Sequence, residues 1–383
     1  ASLVLGMALL SGCTKSLDRE PPNTLPSDNV YTSEAGYLQV LAKVYGSVAL
    51  TGNQGPAGNG DVAGIDEGTS DFVRLFWKAQ ELSTDEAVVA WNDPGIQDFH
   101  NMNWSSSNPM LKGLYYRCTY IVTLCNEFIR ESAPDKVSSR GLSADNIKKL
   151  RAEARFMRAF ANWVLLDLYA NPGFTTENDP IGKFNPPQTN RTQLFAYIES
   201  ELKAIEVDLS APRSGDYGRA DKAAAWSLLA RMYLNAKVYT GTDKYTDAVT
   251  YSKKVIDAGY ALLSNYTWLG LADNNVSNPE FILTLNYDGI RSKNWGGTTF
   301  LVNASVGGDM DRNVSGLTGW GGIRTTKNLP NLFPDVNGTG DKRAQFTAGS
   351  QNLEINNISD FKDGLAVIKY RNRTRTGGFG NDP

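Results

Sequence analysis

Between residues 34 and 258 the apolar positions of this chain recur mostly at three- and four-residue intervals, the signature of helices with one buried face. The cleanest run, 111–129, places Leu111, Leu114, Tyr115, Cys118, Ile121, Val122, Cys125, Phe128 and Ile129 on one stripe. The longest, 147–169, does the same with Ile147, Leu150, Ala154, Met157, Ala161, Val164, Leu165 and Leu168. Ser143 stands ahead of it as an N-cap, and Pro172 with Gly173 ends it. A second stripe on this helix is polar: Arg151, Arg155, Arg158 and Asn162. An earlier helix is predicted over 34–48, with Tyr37, Leu38, Leu41, Val44, Tyr45 and Val48 facing inward. Later ones are predicted over 192–209, 222–236 and 245–258. The last two read as a helix pair, with Trp226, Leu229, Ala230 and Tyr233 on the first helix matching tetratricopeptide positions. On that match Trp226 and Tyr233 are buried.

Elsewhere the period is lost. Residues 49–70 are a Gly-rich loop, and 171–191 form a connector containing Pro172, Pro180, Pro186 and Pro187. The segment 75–90 contains Ser83-Thr84-Asp85-Glu86. Adjacent carboxylates do not face each other on a helix or strand, so Asp85 and Glu86 suit turn and cap roles, and Ser83 with Glu86 has capping-box spacing. Residues 91–108, WNDPGIQDFHNMNWSSSN, show neither helical nor strand periodicity. After residue 264 the chain becomes loop-rich, with expected strands at 281–287 (FILTLNY) and 366–371 (AVIKYR), and a long Gly-containing loop over 288–326. The expected fold is mainly α: a tetratricopeptide-like helical-repeat scaffold with a loop-rich inserted portion and minor β.

Composition narrows function by exclusion. With 383 residues the chain can bury a large core, and its net charge of −3 gives no electrostatic case for nucleic acid. Its one histidine, His100, rules out a multi-His metal centre and reads as a structural or surface residue rather than a catalytic one. No metal or other cofactor is expected. Cys118 and Cys125 lie seven residues apart on one helix, about 10 Å along its axis and beyond disulfide reach, so both are expected to be reduced core residues. The Gly runs do not follow a strand and open a helix, so they make no phosphate cradle.

The first twelve residues, ASLVLGMALLSG, are an apolar run ending in small residues, too short to span a bilayer. They fit the back half of a secretory signal. Leu10-Ser11-Gly12-Cys13 looks like a bacterial lipobox, which makes Cys13 the lipidation site and 13–30 a polar, Pro-rich tether.

Several stretches resemble the SusD/RagB family of outer-membrane nutrient-binding lipoproteins. They are the RAEARFMRA run with its aromatic-rich end at Leu168-Tyr169, the LPSDNVYTSEAGY entry, Thr84-Asp85-Glu86, Tyr115-Tyr116 with Cys125-Asn126, SNPEFIL, GWGGIRTTKNLPNLF and DKRAQF. The resemblance implies a lipid-anchored, cell-surface protein, not an enzyme. Such a protein captures an oligo- or polysaccharide and delivers it to a SusC-type TonB-dependent outer-membrane transporter. Peptide or glycoprotein capture is the variant within the family. A glycoside hydrolase or a protein-binding helical adaptor are the readings outside it. The implied organisation is a partial signal (1–12), the tether (13–30), a helical body with degenerate repeat pairs (31–263) and a loop-rich portion (264–383). It also implies a fragment, since family members continue past residue 383 with further helices.

Sugar rings present apolar faces that stack on Trp and Tyr, while amides, carboxylates and guanidinium groups take their hydroxyls. The two polar, Trp-rich, non-periodic segments, 91–104 and 287–320, are therefore expected to meet as a glycan platform. Trp91, Trp104, Tyr287, Trp295 and Trp320 are its stacking candidates, and Asn92, Asp93, Asn101 and Arg291 its hydroxyl partners. At least two of the five aromatics are expected to be buried plugs.

Overall fold

A computed structural model describes residues 27–381, apart from 56–58, 67, 69, 183, 312, 314, 315, 317 and 348. The lipobox reading of Cys13, the signal and most of the tether lie outside the described residues.

The long helices are α1 Glu34–Ala49, α2 Phe72–Glu81, α3 Pro109–Glu131, α4 Ala144–Tyr169, α5 Arg191–Ile205, α6 Lys222–Leu234 and α7 Tyr245–Asp257; all but α2, for which the sequence pattern predicts no helix, follow the periodicity. A further helix, α8 Gly297–Asn303, lies in the loop-rich part. Their starts have chemical causes. The Ser33 hydroxyl accepts from the Gly36 amide on α1 (3.2 Å), and Asp71 accepts from the Arg74 amide on α2 (2.8 Å). Asn108 takes two amides at the head of α3, where Pro109 needs none. Asn190 and Asp221 cap α5 and α6. Ser143 occupies the N-cap position of α4 without a side-chain bond, and α4 ends at Ala170 with φ +61°.

Helix α4 is the axis of the core, packed against α1, α3 and α5, with α6 and α7 paired beside them. Phe156, Met157, Trp163, Val164, Leu165 and Leu166 are all nearly inaccessible, each burial being worth roughly 1.5–3 kcal/mol. Its polar stripe is buried at Arg158 and Asn162 and half-buried at Arg151 and Arg155. Arg158 is 2% exposed and reaches Asn126 (2.8 Å), Glu177 (2.5 Å) and Glu201 (2.8 Å). Arg155 pairs with both oxygens of Glu201, and Arg151 donates to the Ile129 carbonyl. The stripe thus clamps α3, α5 and the connector to α4. Cys118 and Cys125 are free, buried thiols, as the spacing predicts.

The sheet content is small. Strand β1, Ala87–Val89, pairs antiparallel with β2, Ile323–Thr325, in the register Val89↔Ile323, and β3, Phe346–Thr347, pairs with β4, Ala366–Val367.

The structure corrects several expectations. Residues 281–287 alternate like a strand but find no ladder partner, so they run as unpaired chain. The strand expected over 366–371 is limited to Ala366–Val367. One turn of helix, Ile96–His100, forms inside the segment expected to be aperiodic, since a single turn leaves no periodic trace. Ser83 and Glu86 do not form a capping box, because strand β1 and not a helix follows them. The Ser83 hydroxyl donates back to Ala79, and Thr84 Oγ1 accepts from the Glu86 amide. Trp226 is only half-buried, with the Lys254 ammonium 5.3 Å from its ring centroid, whereas Tyr233 is fully buried.

Candidate functional site

The β1–β2 ladder fixes the centre of the site. Continuing its register, the Ala90 amide donates to the Gly322 carbonyl (2.9 Å), which sets Trp91 beside the chain that carries Trp320. The two indoles lie 6.2 Å apart with planes turned by 46°. Gly322 has to lack a side chain here, because a Cβ would sit 2.5 Å from the Trp91 ring. Backbone amides of residues 320–322 are tied down in turn. Trp320 donates to Asn303 (2.7 Å), Gly321 to Val306 (2.7 Å) and Gly322 to Ala304 (2.8 Å).

Trp295 completes the group, 6.1 Å from Trp320 with planes turned by 55°. Its position comes from buried polar pegs. Asn294 donates to Asp71 (2.9 Å) and to the Ala49 carbonyl (2.5 Å), and the Gly297 amide donates to Asp71 (2.9 Å). Arg74 on α2 donates to the Trp295 carbonyl (2.9 Å) and to the Gly68 carbonyl (2.6 Å). Its guanidinium also lies 5.5 Å from the Trp91 centroid and 5.0 Å from that of Phe300. Trp91, Trp295 and Trp320 line an open hollow of about 300 Å³ together with Asp66, Gly68, Arg74 and Asp93.

Beneath the rings the chemistry is cationic and buried. Burial draws the Arg74 guanidinium below its usual value, with Asp93, Asp71 and Asp66 opposing. Lys78, one turn along α2, is fully buried, and burial pushes its ammonium down to about 7, with Arg74 adding to the effect. Its Nζ lies 3.6 Å from the Met110 sulfur and 5.8 Å from the Phe300 centroid. Burial also raises the Asp71 carboxyl, against the hydrogen bonds it accepts.

The sequence candidates divide. Trp91, Asp93, Trp295 and Trp320 come together at the hollow. Tyr287 is half-buried and packs against Gly297, with its hydroxyl buried and without a hydrogen-bond partner; burial, then the nearby Asp71, drives its phenol upward, and it does not line the hollow. Trp104 lines a different groove. Asn92, Asn101 and Arg291 are exposed and do not line the hollow. Arg74 and Asp66 do line it, and nothing in the sequence marks them, because Arg74 lies on an ordinary amphipathic helix and Asp66 in a Gly-rich loop. His100 is structural: its Nε2 accepts from the Val89 amide at 3.3 Å and ties the short helix to β1.

No family model matches the chain. One curated relative does: the chain is 32% identical to the starch-binding protein SusD of Bacteroides thetaiotaomicron over 410 residues, 95% of this chain and 72% of the relative. The chain belongs to the SusD family. Two solved structures share the fold. A SusD superfamily protein from Bacteroides vulgatus superposes with a TM-score of 0.61 at 15% identity over 82% of this chain. Surface glycan-binding protein A from Bacteroides fluxus does so with a TM-score of 0.61 at 18% identity over 82%. The chain spans 61% and 64% of those two proteins. Proteins of the SusD family are binding proteins rather than enzymes. Among the described residues no helix is long and apolar enough to cross a membrane, and no cluster of three or more His, Cys, Asp or Glu is placed to hold a metal.

Proposed function

We propose that this SusD-family chain is a non-catalytic, lipid-anchored cell-surface protein that captures a starch-type α-glucan on the Trp91–Trp320–Trp295 surface. It passes the glucan to a SusC-type TonB-dependent outer-membrane transporter. The observation that carries the reading is the run of three indoles around one open hollow whose lining also holds Arg74, Asp66 and Asp93. The rings are not coplanar. Successive planes turn by 46° and 55°, which suits a glucan that itself turns from unit to unit better than a flat, ribbon-like one. The 32% identical relative is named for starch binding, which points to the same substrate class.

The test is calorimetric titration with maltoheptaose, supported by retardation in amylopectin gels. Trp320→Ala should weaken binding by roughly 1–3 kcal/mol, by analogy with aromatic stacking of nucleobases. Wild-type protein that neither binds maltoheptaose nor is retarded by amylopectin would overturn the glucan reading. Release of reducing sugar from the polymer by purified protein would instead make Asp66 and Asp93 candidates for hydrolysis.

A further inference from the structure

We propose that a second groove, walled by Trp104 and Tyr116, is an additional docking surface for the same glucan. The proposal rests on the glycan-binding reading above. The groove encloses about 870 Å³ between the 104–107 turn and the head of α3, against about 300 Å³ at the tryptophan hollow. At its rim Trp104 is 45% exposed and Tyr116 41% exposed. Trp104 leans on Phe99 at 6.2 Å, and Tyr116 on Tyr115 at 6.2 Å. Both rings thus have backing and remain open to solvent.

The polar groups around them are of the kind sugars use. Ser105, Ser107 and Lys112 line the same groove. The Lys112 ammonium lies 5.6 Å from the Tyr116 centroid and makes no ion pair among the described residues. The groove lining contains no carboxylate. By contrast, the hydroxyls of Tyr115 and Tyr169 are already engaged, Tyr115 accepting from the Gly173 amide (3.0 Å) and Tyr169 donating to the Leu111 carbonyl (2.6 Å). The floor is fixed, and at the rim the Ser105 and Ser107 hydroxyls hold each other at 2.8 Å while the two rings stay open to solvent.

This groove is built by the same segment that carries the first site. Residues 91–104 start with Trp91 in the hollow and finish with Trp104 at the groove. Asn108 locks the segment by donating to Gly95 (3.0 Å) and Asp98 (2.9 Å) while capping α3. A rigid segment with an aromatic surface at each end suits a polymer that offers many equivalent units, because a second contact on one chain is intramolecular and gains by effective concentration.

The experiment is gel retardation with amylopectin, using wild type, Trp320→Ala, Trp295→Ala and the pair Trp104→Ala/Tyr116→Ala. Circular dichroism melting confirms that each variant folds. Trp295→Ala serves as the second hollow variant because its ring is already exposed and its loss costs little packing. The pair should lower polymer affinity by about tenfold. Trp320→Ala and Trp295→Ala should each keep residual retardation that disappears when the pair is added. The second docking surface is refuted if the pair migrates like wild type, or if both folded hollow variants lose all retardation. Either result leaves wild-type binding, and with it the first site, intact. Absence of binding by the wild type overturns both.

Discussion

Arg158 offers the sharpest test of how the scaffold is held. It is 2% exposed and bridges two carboxylates, Glu177 at 2.5 Å and Glu201 at 2.8 Å, while also reaching Asn126. Replacing it with alanine leaves the two acidic groups with one directly bonded cation, Arg155, which reaches Glu201 alone. Breaking a buried pair by removing one partner costs roughly 3–5 kcal/mol, because the other charge stays desolvated. Here Glu177 is 23% exposed and can turn to water, so the low end applies, about 3 kcal/mol. Unfolding entropy of about 2.1 cal/mol/K per residue gives about 0.8 kcal/mol/K for a chain of 383 residues, and hence a fall in Tm of about 4 °C.

The assay is differential scanning calorimetry of Arg158→Ala against wild type across pH. Burial opposes ionisation of Glu177 and Glu201, yet Arg158 and, for Glu201, Arg155 hold both carboxyls below the usual glutamate value. A carboxyl depressed in the folded state stabilises the fold above its unfolded pKa of about 4.3 and loses that contribution as pH falls through the folded value. The Tm deficit of the variant should therefore be full at neutral pH and shrink below pH of about 4. Adding Glu177→Gln and Glu201→Gln to Arg158→Met should recover most of the loss. A variant within 1 °C of wild type at pH 7, by order of magnitude, or a deficit that grows in acid, would refute the clamp.

The other predictions concern the platform and the repeat. Lys78→Met should raise Tm at pH 6. A lysine neutralised by burial makes the unfolded state bind more protons between pH of about 7 and about 10.4, so wild-type stability climbs over that range and the advantage of the variant shrinks, which melting curves across pH would check. Tyr233→Ala should cost roughly 3–5 kcal/mol in urea unfolding and Trp226→Ala clearly less, since only Tyr233 is fully enclosed. Gly322→Ala should displace the Trp91 ring, from which its Cβ would lie 2.5 Å, and lower glucan affinity in calorimetry without a matching fall in Tm.

How much of this was legible in the sequence depends on the range of the forces involved. Helices α3 and α4 were readable because their burial repeats every turn, and α3 spans Pro109–Glu131 against a predicted 111–129. The arginine stripe on α4 was visible as a pattern, but its partners Glu177 and Glu201 come from the connector and α5, which no local rule pairs with it. FILTLNY had the alternation of a strand and lacked the partner that makes one. Ala87–Val89 has too few residues for a local strand signal and becomes a strand because Ile323–Thr325 reaches it. Trp91 and Trp320 are neighbours only through that ladder, so the sequence could supply the two segments but not the contact. Tyr287 falls outside the hollow, since a tyrosine in a polar loop looks the same in sequence whether it packs against a glycine or lines the site.

The placement of the tryptophans on loops raises a physical problem that the buried polar residues answer. A binding loop has little apolar mass to bury and cannot be fixed by packing alone, while its backbone groups still need partners. In this chain the helices supply those partners. Asp71 caps α2 and in the same step receives Asn294 and the Gly297 amide, so helix entry and Trp295 placement depend on one carboxylate. Arg74, one turn later, spends two hydrogen bonds on loop carbonyls and its flat face on Trp91 and Phe300. Gly296 lies where a Cβ would meet Asp71 at 2.1 Å, which lets the loop come that close. Charged groups buried this deeply are expensive unless hydrogen-bonded, and their cost is offset here by loop bonds that nothing else provides. On the proposed glycan-binding reading, these bonds hold the aromatic surface in place before a sugar docks, and a pre-organised surface spends less of its stacking energy on ordering side chains.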